Sequence, residues 1–296
     1  MAEADSRPTF DLQSHSTFSD GTLSPGDVVA RAAEAGVELL ALTDHDTLSG
    51  VSQALAAGVE HGVRVIPAIE ISAVDDGASE PRELHILGYL VDHQDAAFNA
   101  TLGHFLSDRE QRTLRMADAL RELGWQLDER EINTRLEAGK PIGRPHLANA
   151  VLGHAANSER LREEQIDDVG SLIRAYLIEG RSAFRMRQTP TVANAVEAIH
   201  QAGGVAIWAH PFWDLTDPRE VLETIDRFVE FGMDGVEAFY ISHTREQTEL
   251  LAERTVELGV LSTGSADFHG PENKLFNRFR AFETFGRTPN LGPIAG

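Results

Sequence analysis

The chain contains no cysteine. Disulfides, thiolate-bound zinc and cysteine nucleophiles are therefore excluded, and any metal must rest on imidazole, carboxylate or amide oxygen. Long apolar runs are also missing, none approaching the ~18 residues needed to span a bilayer. The first nine residues are polar and acidic, without the apolar stretch of a secretion signal, so a cytoplasmic protein away from membranes is expected. Basic residues are scarce: 26 Lys and Arg stand against 47 Asp and Glu, a net charge of −21. Such a surface repels a polyanion and argues against wrapping of long DNA.

What is present suits a folded enzyme-sized chain. The 296 residues are 42% hydrophobic and 25% charged, enough for one large domain or a barrel with an insertion. The charge is uneven. Residues 101–187 carry 14 basic and 14 acidic residues, so the rest of the chain holds the entire deficit. An Arg-rich neutral segment in an acidic protein suits a clamp for a small anion, and equally a solvated helical surface laced with ion pairs.

Residues 1–100 alternate in strand and helix character. A short apolar start at 10–12 leads to a helix opened by Ser24-Pro25 and stopped by Gly36. The run 39–42 suits a doubly buried strand, 51–57 a helix, and 63–71 and 84–90 further strands. This rhythm implies parallel strands with helices outside. It breaks near 100, where Leu102, Phe105, Leu106, Ala117, Leu120 and Leu123 suggest long amphipathic helices. It returns with a helix at 192–202, a strand at 204–209, a helix at 220–231, a strand at 236–240, a helix at 245–258 and a strand at 260–263. The expected organisation is an α/β barrel in two parts, 1–100 and 188–285, a helical insertion at 101–187, and a loosely ordered Gly- and Pro-rich tail at 286–296.

The chemistry is concentrated at the ends of the apolar runs. Gln13-Ser14-His15 and Ser19-Asp20-Gly21 come after the first; Thr43-Asp44-His45-Asp46 comes after the second; then come Glu70, His85, His210-Pro211 and Asp267-Phe268-His269. Barrel enzymes place their chemistry at the C-terminal ends of parallel strands, where residues far apart in sequence converge. Imidazole and carboxylate together suit Zn²⁺, Mn²⁺ or Fe²⁺. One strand-end histidine means little, but six such events in register are hard to assign to packing. His61, His93, His104, His154 and His200 lack neighbouring partners in sequence and are read as ordinary core or surface residues.

Together these motifs resemble the PHP (polymerase and histidinol phosphatase) family, over roughly 10–98 and 190–270, and look closest to its small bacterial phosphoesterases with a helical insertion. The resemblance implies a distorted (β/α)7 barrel with two or three divalent ions. It implies a first site of Gln13, His15, Glu70 and Asp267, a second sharing Glu70 with His85 and His210, and a third of Asp20, His45 and His269. Gln13 departs from the pattern, since the family usually has histidine there, and a neutral amide is a poorer donor to zinc than imidazole. Asp44 and His243, the latter just after the strand that ends at Tyr240, are the expected catalytic side chains. Arg144, His146 and Arg181, in loop-like segments of the insertion, are implied contacts for a substrate phosphate, as is His243; Arg185 and Arg187 are further candidates.

The implied activity is hydrolysis of a phosphoester by hydroxide that the cations make available near neutral pH. The leading substrates are 3′,5′-bisphosphonucleotides, losing the 3′-phosphate, or short 5′-phosphorylated oligonucleotides. A small-metabolite phosphatase of the histidinol phosphate kind is an alternative. A metal- or nucleotide-binding regulatory module weakened by Gln13 is another.

Overall fold

A computed structural model describes residues 8–79, 81–187 and 190–296. The chain divides into two compact units, one of residues up to 101 together with those from 190 onward, the other of 102–189.

The first unit is a seven-stranded sheet in sequential order: β1 (Phe10–Asp11), β2 (Leu39–Leu42), β3 (Arg64–Asp75), β4 (Arg82–Tyr89), β5 (Val205–Trp208), β6 (Gly235–Tyr240) and β7 (Leu261–Ser265). Its edges nearly meet. The Leu12 amide donates to the Gly264 carbonyl at 3.2 Å, and Ser14 bridges Phe268 in parallel. The result is a distorted barrel with helices outside.

One strand departs from the expected direction. β4 is antiparallel to both β3 and β5, whereas the remaining neighbours are parallel. The reason is connection length: only residues 76–81 separate β3 from β4, and a parallel crossover needs a dozen or more. The reversal matters for the site. Running backwards, β4 brings its beginning, with His85 opposite Ser72, to the rim where the other strands end.

The outer helices begin where the sequence supplies caps. Ser24 accepts from the Asp27 amide ahead of the helix Pro25–Glu34, and Thr191, Asp217 and Thr244 cap Val192–Gln201, Pro218–Glu230 and Arg245–Leu258. Val28, Val29 and Ala32 of the first helix pack with Leu40 and Leu42 of β2 and with Ala54 of the helix Val51–His61. Full burial of one such valine or leucine is worth ~1.5–3 kcal/mol.

Inside the barrel, Leu12, Ala41, Ile66, Ala68, Leu87, Ile207 and Ala209 form the inner core. Ile294 joins them, wholly buried. The tail is thus packed, contrary to the loose order its Gly and Pro content suggests. Asn290 and Ser262 exchange hydrogen bonds, and Gly292–Ala295 forms a short helical turn that seats the isoleucine.

The second unit has its own core of Met116, Leu120, Trp125, Leu147, Val151, Leu172 and Leu177. The Arg160 guanidinium lies 3.9 Å over the Trp125 ring. Residues 143–146, expected as loop, instead begin the helix Arg144–Leu152 with Gly143 as N-cap and Pro145 in its first turn. Proline is favoured there because the first helical amides have no partner inside the helix. Among the described residues no helix is long and apolar enough to cross a membrane.

Candidate metal centre

The rim of the barrel gathers His15, Asp20, His45, Glu70, His85, His210, Asp267 and His269. Three groups of donors each lie within coordination reach: His15, Asp20, His45 and His269; His45, Glu70 and His85; and His15, Glu70 and Asp267. His15, His45 and Glu70 each serve two groups. His210 stands beside the second, its Nε2 3.4 Å from Glu70 Oε1 and 3.4 Å from His85 Nδ1. His61, His93, His104, His154 and His200 stand in none of them.

Strand ends set these positions, and the intervening loops aim them. After β1 the chain turns through Ser16–Gly21, held on Asp44, whose carboxylate accepts from the Ser16 amide at 2.8 Å, the Ser16 hydroxyl at 2.6 Å and the Ser19 hydroxyl at 2.6 Å. Asp44, expected as a catalytic side chain, holds the loop that presents His15 and Asp20. Gly21 permits the turn, since a Cβ there would lie 2.3 Å from the His15 carbonyl oxygen. Asp46, His210 and Asp267 have positive φ of 54°, 30° and 53°. Non-glycine residues adopt that region at a cost, and such strain concentrates at functional sites.

Glu70 is the hub. Its Oε1 lies 2.7 Å from His85 Nδ1 and its Oε2 3.0 Å from His15 Nε2, which is also 3.1 Å from Asp267 Oδ1. Second partners orient the donors. The Tyr240 hydroxyl donates to Asp267 Oδ2 at 2.8 Å, and His269 Nδ1 donates to the Asp267 carbonyl at 2.7 Å, turning its Nε2 toward Asp20 at 3.5 Å. Fixing the far nitrogen of a ligand histidine in this way sets its tautomer.

The electrostatics favour positive charge at the rim. Burial by itself would raise the Glu70 and Asp20 carboxyls, yet the surrounding histidines hold both well below the usual range. Burial would lower His15, but Asp267 and Glu70 raise it well above an ordinary imidazole. His210 is likewise lifted to about 9 by Glu70 and Asp214 against burial. Clustered carboxylates with imidazole nitrogens facing one another 3.4 Å apart, and buried His15 Nε2 and Asp267 Oδ1 without a hydrogen-bond partner of good geometry, fit divalent cations.

Gln13 enters this knot differently from expectation. Its Nε2 donates to Glu70 Oε2 at 2.8 Å, and its Oε1 is turned to the Ser265 hydroxyl at 3.3 Å. Glu70 offers only acceptor oxygens, so the NH₂ side must face it. In that orientation Gln13 is hydrogen-bonded to Glu70, at the centre of the donor cluster. Ser265 also lies 2.6 Å from Glu237 Oε1, and Glu237 Oε2 accepts from the His210 amide at 2.9 Å. Burial lifts the Glu237 carboxyl to about 8. Asp11, equally buried and lifted to about 7, anchors the Ala266 and Arg280 amides.

His243 is buried against Phe212 and Tyr240, with Nδ1 3.2 Å from the Ala238 carbonyl. Burial lowers it to about 4. With Nδ1 facing that carbonyl, a neutral ring carries its proton there and leaves Nε2 an acceptor. In the second unit, Arg144 opens a helix and His146 is buried, its Nδ1 accepting from the Gly143 amide at 3.2 Å, while Arg181 is exposed in a turn. Arg187 is buried rather than a surface cation, donating to the Phe105 carbonyl at 2.6 Å beside Asp108. Tyr240, Ser265 and Glu237 went unread in the sequence because they ligate nothing themselves; their only signal is position at the same strand ends.

A barrel with this donor set at its rim is that of the PHP domain family, which matches residues 11–179; the chain belongs to it and is a metal-dependent phosphoester hydrolase. Its relatives narrow the field. It is 33% identical to a 5′-3′ exoribonuclease of Haemophilus influenzae over 88% of this chain and 90% of that protein. It is 32% identical to a phosphoribosyl 1,2-cyclic phosphate 1,2-diphosphodiesterase of Eggerthella lenta over 95% and 97%. It is 30% identical to a 3′,5′-nucleoside bisphosphate phosphatase of Chromobacterium violaceum over 96% and 93%.

Proposed function

We propose that the chain hydrolyses phosphate esters of small nucleotides, removing the 3′-phosphate of 3′,5′-bisphosphonucleotides and accepting short 5′-phosphorylated oligonucleotides at the same centre. The observation that carries this reading is the merging of three donor groups through His15, His45 and Glu70, which gives a site for closely spaced cations. Mn²⁺, Zn²⁺ and Fe²⁺ suit its donors. The net charge of −21 disfavours long nucleic acid and leaves room for a few nucleotides.

Cations bound there supply Lewis acidity toward a phosphoryl oxygen and lower the pKa of water. The remaining work belongs to the chain. Glu70, Asp20 and Asp267 balance the cationic charge. Tyr240 keeps Asp267 in orientation, and burial raises its hydroxyl well above its ordinary range, so it stays a donor. Gln13, itself hydrogen-bonded to Ser265, steadies Glu70. His243 Nε2 is suited to accept a hydrogen bond from a sugar hydroxyl. Arg144, His146 and Arg181 are proposed as phosphate contacts, with His146 first needing release from its cap.

A second reading is favoured by the extent of similarity to the cyclic phosphate diesterase, which spans nearly both chains. The test is hydrolysis with added Mn²⁺, read as phosphate released from adenosine 3′,5′-bisphosphate, AMP and histidinol phosphate, as mononucleotide released from a 5′-phosphorylated RNA trimer, and as ring opening of phosphoribosyl 1,2-cyclic phosphate. Release from the bisphosphate with little from AMP is expected. Turnover of the cyclic ester alone would replace the nucleotide reading with the second one.

A further inference from the structure

Beside the metal centre stands an exposed aromatic surface that the hydrolytic chemistry does not use. Trp213 is 52% exposed, a large apolar ring facing solvent three residues after His210. It is held there by the short helix Pro211–Asp214, with the Trp213 amide donating to the His210 carbonyl at 2.8 Å. Its ring centroid lies 5.6 Å from Phe276 and 6.4 Å from Tyr240. Phe276 in turn is 5.3 Å from the His269 ring, and Tyr240 is 5.2 Å from His210. Two aromatic paths thus lead from Trp213 to the donor cluster, each one ring long.

The loop carrying Phe276 is braced in place. The Phe276 carbonyl accepts from the His269 amide at 2.9 Å, and Asn273 Oδ1 accepts from the Leu275 and Phe276 amides, both at 3.0 Å. The other strongly exposed apolar side chains, Val59 and Val256, are aliphatic residues on outer helices with no such link to the rim. An exposed indole one ring away from the donor cluster, by centroid steps of 5.6 and 5.3 Å, is a stacking surface beside that centre.

We propose that Trp213, flanked by Phe276, is the platform on which the base of a nucleotide ester stacks while its phosphate lies at the cluster. This rests on the proposed nucleotide activity and adds its recognition element. Stacking uses the π-face every base has, so the platform tolerates any base and favours the larger purines. Base–aromatic stacking accounts for roughly a ten- to hundredfold change in affinity.

The test has two readouts. The chain has three tryptophans, Trp125 and Trp208 being wholly buried, and the part of a ligand-induced emission change that Trp213→Ala removes reports Trp213. Adenosine 3′,5′-bisphosphate is expected to quench that emission, in chelator-treated as well as Mn²⁺-loaded protein, whereas the same sugar bisphosphate without a base is not. In turnover, Trp213→Ala is expected to raise KM for the nucleotide about ten- to a hundredfold with kcat little changed, and Trp213→Phe to recover most of the loss. The base-free ester should be indifferent to both substitutions. Equal effects on the nucleotide and the base-free ester, or no quenching with KM unchanged, would overturn the platform while leaving nucleotide hydrolysis standing. Quenching without hydrolysis would retain the platform and sink the proposed reaction instead. A shift of Trp213 emission with protein concentration alone would assign the ring to self-association and overturn the proposal.

Discussion

At the scale of single residues, two positions decide how the centre is tuned. Gln13 donates to Glu70 beside the group formed by His15, Glu70 and Asp267. Gln13→His adds an imidazole at that point, and metal content per chain after dialysis is expected to rise; unchanged content would mean the position does not limit loading. Glu237 gives a pH-dependent prediction. Its folded pKa is raised to about 8 by burial, so its stabilising protonated form is fully present below the ordinary value near 4.5 and is lost as pH rises through 8. Glu237→Gln keeps an oxygen for the His210 amide and an NH₂ for Ser265 but cannot ionise. In chelator-treated protein the variant should gain on the parent between pH 5 and 8, by at most about 1.4 kcal/mol per pH unit. Parallel urea-stability profiles would rule this out. The donor cluster itself was legible, because imidazole and carboxylate recur after one apolar run after another. Gln13's orientation was not, since an amide can present oxygen or NH₂ and only its neighbours choose.

Among elements, the helices and strands were readable wherever a local cue exists. Ser24-Pro25, Thr191 and Thr244 start helices, and the apolar run of β2 is a buried strand. The direction of β4 was not read, because an apolar run looks alike both ways and only its short link to β3 reveals the hairpin. The 143–146 segment misled because Gly and Pro mark loops and helix starts alike. Two tests belong here. Gly21→Ala forces a Cβ against the His15 carbonyl and should cost ~1–3 kcal/mol, with weakened metal binding at Asp20, read by urea melts and by metal titration. Arg227 binds Asp75 through two contacts of 2.5 and 2.8 Å, tying Pro218–Glu230 to the end of β3. Arg227→Met leaves a buried carboxylate alone. Since the arginine is partly exposed, the loss should fall at or below the low end of ~3–5 kcal/mol, and a change under a few tenths would mean solvent already carries that charge.

Over the whole molecule, the acidic balance and the metal centre act together. Neighbouring histidines hold Asp20, Glu70 and Asp267 ionised at one rim, and cations bound there would add their binding energy to the folded state. Chelation should therefore abolish activity and lower the melting temperature by several degrees, consistent with the ~2.7 kcal/mol expected when a ligand stands at a hundred times its Kd. A melting curve indifferent to chelator would mean the ions add nothing to folding. The barrel was legible from the β-α rhythm, but its floor was not: one isoleucine in a Gly- and Pro-rich tail outweighs the composition around it.

The sharing of His15, His45 and Glu70 between donor groups has a consequence for how such a protein fills. Once one ion has ordered a shared side chain, its neighbour finds half its cage already set, so the first two occupancies are linked. Three carboxylates carry three negative charges against the four of two divalent ions, so each added ion is expected to be held less firmly than the one before. A partly loaded preparation is then expected to hold molecules of unequal filling rather than a uniform population, so that its average activity would understate that of the filled fraction.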